Sequence, residues 1–167
     1  MMRQIDLDGS TEVAELVKTK LEKIPGHVAK AQRFSYRCPE LETGKSRAIV
    51  RLVTTDILLG LVQVFKTGGE VKMHSHTGMD GFWMVLGGLA RFYFEDGEVA
   101  EVARHEGVCT PRNVKYWFEA VGDELLEILQ VDAIHPGLVN KVESEANDAQ
   151  TRERLRSVSL YDAQPDG

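Results

Sequence analysis

The sequence predicts an all-β domain, an antiparallel barrel or sandwich, from three observations. Eight short runs are rich in β-branched, aromatic and aliphatic residues, turn signals separate them, and no helical period lies between them. These strands fill residues 46–135. A helix and connecting arm over 1–45 precede them, and a charged segment over 136–167 follows.

In the first part, Val13, Leu16, Val17, Leu21 and Ile24 recur at helical spacing. Ser10 or Thr11 is placed to cap this amphipathic helix and Pro25-Gly26 to end it. Its expected role is packing against the β domain or a partner subunit. Residues 26–45 read as an arm broken by Pro39 and Gly44.

The strands are expected at 48–55, 57–66, 70–75, 81–86, 89–95, 99–104, 114–120 and 125–132. Gly68-Gly69, Gly87-Gly88, Asp96-Gly97 and Gly122-Asp123 supply turns between them. Beyond about Asn140 the chain is polar, and Leu155, Val158 and Leu160 give only a weak apolar signal, enough for a short helix or a frayed tail. No repeat of the strand pattern is evident, which argues against a double barrel.

The chain has 167 residues, 43% hydrophobic and 28% charged, enough to bury one core without disulfides. A formal net charge of −6 gives no electrostatic footprint for nucleic acid. No apolar run approaches the ~20 residues of a membrane-spanning helix. With only Cys38 and Cys109 and no signal-peptide pattern, a cytoplasmic protein with free thiols is expected.

Chemistry concentrates in residues 68–87. In a strand His74 and His76 project to one face, and Asp80 follows a Thr77-Gly78 break able to fold its carboxylate back beside them. Such nitrogen and oxygen donors suit iron, manganese, zinc, nickel or copper. Phe82, Met84 and Leu86 share the parity of Asp80, and Phe118 shares that of Tyr116, so Phe82, Met84 and Phe118 are expected to line a cavity. Trp83 and Trp117 have the opposite parity and are expected outside, where covering them favours a homodimer. Cys109 reads as a small buried filler and His105 as a surface residue. Arg51, Gln63, Arg91, Arg112 and Lys115 are candidates to meet an anionic group at the cavity mouth. Apolar walls with a few polar groups suit a small organic ligand. No Ser-His-Asp set, phosphate-cradling glycine loop or glycosidase-like carboxylate pair is present.

Gly68, His74, His76, Asp80 and Gly87 follow a known pattern: glycine, five residues, His-x-His, three or four residues, a carboxylate, six residues, glycine. A second pattern of glycine, Pro-x-Gly, His and Asn is matched in part over residues 105–120. Pro111 is in place, and Asn113 stands for the glycine, a residue that tolerates positive φ. Tyr116 stands for the histidine, Ala120 stands for the asparagine, and Gly107 sits four residues before Pro111 instead of six. Over residues 46–135 the chain resembles the cupin superfamily.

That resemblance implies an antiparallel, jelly-roll-like cupin barrel holding a divalent transition metal such as iron, manganese, zinc or nickel. It implies His74, His76 and Asp80 as metal ligands and Tyr116, with Asp80, as the residues acting on a small metabolite. Dioxygenation, isomerisation and decarboxylation are the reaction types it suggests. Since Tyr116 replaces a ligand, a non-catalytic cupin binding a small ligand or serving in regulation is the alternative. Metal-free acid/base work by a histidine-tyrosine pair ranks third.

Overall fold

The computed structural model describes residues 3–5, 31–67, 72–144 and 158–165. The helix expected over 10–24 and the Gly68-Gly69 turn lie outside the described residues. Among those described, regular structure is all strand and no helix is long and apolar enough to cross a membrane.

In chain order the strands are β1 (Arg3–Ile5), β2 (Phe34–Ser35), β3 (Arg47–Thr54), β4 (Leu58–Phe65), β5 (His74–His76), β6 (Met79–Gly87) and β7 (Ala90–Phe94). They continue as β8 (Val99–Val102), β9 (Gly107–Thr110), β10 (Tyr116–Ala120), β11 (Leu126–Ile134), β12 (Val142–Ser144), β13 (Val158–Asp162) and β14 (Gln164–Pro165). One sheet runs β1-β13-β3-β4-β11-β6-β9 and a second runs β12-β5-β10-β7-β8, with β14-β2 as a separate ribbon. The main strands are therefore two facing sheets, where a closed barrel was one expectation. Alternating apolar residues specify which face of a strand is buried, and two stacked sheets satisfy that pattern as well as closure does.

Between the sheets lies one apolar cluster drawn from both. Phe65, Trp83, Val85, Leu126 and Ile128 come from the larger sheet, and Phe92, Tyr116 and Phe118 come from the smaller. Most of their aromatic rings meet edge-on or tilted, as between Phe65 and Phe118 (5.2 Å, 84°) and between Trp83 and Phe118 (5.2 Å, 60°). The other face of the larger sheet is covered near Ala48, Val62 and Val64 by Tyr36 and Leu41 of the arm.

Two segments depart from expectation. Gly107–Thr110 is a strand, pairing with β6 so closely that a Cβ on Gly107 would lie 2.2 Å from the Trp83 carbonyl oxygen. Four residues containing a glycine give too little alternation to be read as a strand. Val158–Asp162, where a short helix or frayed tail was expected, pairs with β3 in parallel and buries Val158 and Leu160 against Ile49, Leu59 and Leu61. Asn113 has φ 66°, the left-handed conformation its place in the second motif requires, and Gly88, Gly97 and Gly122 also turn at positive φ.

Candidate functional site

His74 and His76 project from β5 to the same face, their rings 5.2 Å apart and nearly perpendicular. His74 is the cross-strand partner of Tyr116 on β10, and the two rings lie 4.7 Å apart. Tyr116 is 2% exposed and meets Trp83 at 5.8 Å. Imidazole, imidazole, phenol and indole thus form one aromatic path from the short strand β5 into the space between the sheets.

The hydrogen bonds fix the tautomers. His74 Nδ1 lies 2.8 Å from the Lys72 carbonyl oxygen, which only accepts, so Nδ1 carries the proton and Nε2 the lone pair when the ring is neutral. Asn140 Oδ1 accepts from the Gly78 N–H, turning its amide nitrogen towards His76 Nδ1 at 3.5 Å. In that arrangement His76 accepts at Nδ1. Burial, and secondarily the neighbouring His74, push the His76 pKa down to about 4, so this ring is neutral at neutral pH. Burial and the charge of Asp132 push the Tyr116 phenol above its ordinary value, which keeps it protonated.

Asp80 does not join the histidines. Its Oδ1 accepts the Arg112 backbone N–H at 2.8 Å, and it shares the parity of Phe82, which is 43% exposed. The inward positions of β6 are Gly81, Trp83 and Val85, with Trp83 only 2% exposed. The parity expected for this strand is therefore reversed: Phe82 points out and Trp83 in. Parity cannot be carried through the Thr77-Gly78 turn, because a turn resets which face the next residue takes. Met84 lies on the outward parity with Phe82. Phe118 lies in the interior cluster, while Trp117 is on the far face of β10, stacked on Tyr93 at 4.3 Å and 6°.

The first motif allows a four-residue spacer as well as three. With four residues between, the position after His76 is Gly81, which faces inward and has no side chain to offer. A Cβ there would lie 2.6 Å from Thr110 Oγ1, 3.1 Å from Trp83 Nε1 and 3.5 Å from Asp132 Oδ1. Among the described residues, no three His, Cys, Asp or Glu side chains come together so as to hold a metal ion. Two imidazoles with a protonated phenol do not fit the three or more anionic or neutral donors a divalent transition metal takes from protein.

Polar groups that sequence reasoning passed over lie on the facing wall. Thr110 accepts the Trp83 indole N–H at 3.1 Å. Gln63, Gln130 and Asp132 are buried on β4 and β11 among apolar neighbours, and Gln130 donates to Asp132 Oδ2 at 2.7 Å. Of these only Gln63 was a sequence candidate. The available signal was polar residues at the inward parity of otherwise apolar strands. Arg51, Arg91 and Lys115 instead pair with Asp162 (2.5 Å), Glu101 (2.6 Å) and Glu95 (2.6 Å). Cys109, expected as buried filler, is exposed on β9, opposite Phe82.

Residues 61–132 match the family described as Cupin domain. A double-stranded β-helix protein from Klebsiella pneumoniae is similar in fold at 17% identity and TM-score 0.50, over 56% of this chain and 75% of that one. An RmlC-like cupin protein from Desulfovibrio desulfuricans is similar at 18% identity and TM-score 0.52, over 62% and 96% of the two chains. A cupin 2 conserved barrel domain protein from Leptotrichia buccalis is similar at 25% identity and TM-score 0.50, over 57% and 44%. The chain matches no curated protein.

Proposed function

We propose, on the match of residues 61–132 to the Cupin domain family, that the chain binds a small organic metabolite between its two sheets, with His74, His76 and Tyr116 as the polar focus. The observation that carries this reading is the convergence of two imidazoles, that of His76 neutral, and a protonated phenol within an aromatic wall. Such a set donates and accepts hydrogen bonds at fixed places while the surrounding rings exclude water. Its donor count favours ligand recognition over ion binding, which was the leading expectation from the motif.

Two titrations test it. Screened by native mass spectrometry against a library of small hydroxylated and carboxylated metabolites, the protein should retain at least one compound, and His74→Ala with Tyr116→Phe should weaken that complex about tenfold or more. Titration with Fe2+, Mn2+, Zn2+ and Ni2+ should show weak binding that Tyr116→His strengthens by about tenfold or more, since a third imidazole completes a donor set. Wild-type protein that holds one equivalent of ion through purification, and loses it in His74→Ala, would overturn this reading in favour of a metal-dependent enzyme of the dioxygenase, isomerase or decarboxylase type.

A further inference from the structure

Asp132 is 1% exposed, and its two oxygens are treated differently. Oδ2 accepts from Gln130, whereas Oδ1 is buried and accepts no hydrogen bond among the described residues. A buried carboxyl oxygen without a donor is costly, and native interiors seldom leave one unless something else meets it.

The support behind Oδ2 is directional. The Arg47 guanidinium, lying over the Phe65 ring at 4.9 Å, donates to Gln63 Oε1, and Gln63 Nε2 in turn donates to Gln130 Oε1. Arginine can only donate, so each amide in the chain is forced to present its carbonyl backwards and its NH2 forwards. The relay therefore ends in an N–H aimed at Asp132. It spans β3, β4 and β11 and fixes the carboxyl in one orientation.

In that orientation Oδ1 lies beside Gly81, where an added Cβ would come 3.5 Å from it, 2.6 Å from Thr110 Oγ1 and 3.1 Å from Trp83 Nε1, and the Tyr116 phenol feels its charge. The inward carboxylate that β6 lacks at Gly81 is thus supplied from the adjacent strand, Asp132 being the cross-strand partner of Gly81.

We propose that Asp132 is a second recognition point in the interior, its Oδ1 accepting a hydrogen bond from a hydroxyl or ammonium group of a small organic ligand while the Arg47-Gln63-Gln130 relay holds its other oxygen. This rests on the reading that a small molecule enters between the sheets.

The test uses the 15N-labelled full chain and three probes: ethylene glycol, methylammonium and acetate. The Trp83 indole N–H is the reporter, and that of Trp117, stacked on the outer face, is the control. Ethylene glycol, methylammonium or both should move the Trp83 signal in a saturable way, acetate should not, and the Trp117 signal should stay still. Which of the two moves it identifies the ligand group as hydroxyl or ammonium. In Asp132→Asn the side-chain carbonyl must take the Gln130 donor, which puts NH2 in the place of Oδ1. Donor probes should then bind at least about tenfold more weakly and acetate should begin to bind. Probes that move the Trp83 signal equally in both proteins, or acetate binding to the wild type, would overturn the role of Asp132 and leave ligand entry between the sheets intact. A Trp83 signal moved by no probe in either protein would overturn both.

Discussion

Asp132 shows how a single residue sets a local energy balance. Burial pushes its pKa from 3.8 to about 7, against the smaller opposing effect of the Gln130 hydrogen bond. A carboxyl whose pKa is raised by folding stabilises the native state while protonated, so its contribution is complete below pH 3.8 and is lost as pH rises through about 7. Asp132→Asn, which cannot ionise, should therefore gain stability over the wild type as pH rises from 4 to 8, by at most about 4 kcal/mol. Urea melts at pH 4 and pH 8 measure this; equal differences at the two pH values would refute it. Among the motif residues, the His74 and His76 pair was legible because alternation within one strand fixes a common face. The place of Asp80 was not, since a turn intervenes and the Arg112 N–H captures its carboxylate.

At the scale of elements, strand positions were legible to within one or two residues wherever glycine turns bounded an apolar run, as for β4, β7 and β11. Such strands announce themselves locally. β13 did not, because its partner is parallel and lies more than a hundred residues away in sequence. Local composition carries no information about so distant a pairing. Its value lies in burial: Val158 and Leu160 close the flank of the larger sheet over Ile49, Leu59 and Leu61. Leu160→Ala should destabilise the protein by about 2–4 kcal/mol through the cavity it leaves, and amide exchange in β3 should quicken. Unchanged exchange in β3 would mean that β13 contributes nothing to the sheet.

For the whole molecule, the two sheets are held together by one aromatic cluster, with Phe118 near its centre against Phe65, Trp83 and Phe92. Phe118→Ala should cost about 3–5 kcal/mol, with far-ultraviolet dichroism and tryptophan emission lost in one transition. Separate transitions would show that the sheets are stable apart. The sequence by itself determined that the chain is a β protein resembling the cupins, where the strands bounded by glycine turns lie, and that two imidazoles share a face. Those properties follow from residue type and a period of two. Only the tertiary structure decided which side of β6 faces inward, that Trp83 fills the place expected of Phe82, and that Asp132 stands opposite Gly81. These depend on how a turn resets parity and on which distant strands become neighbours, and both are settled by packing between the sheets.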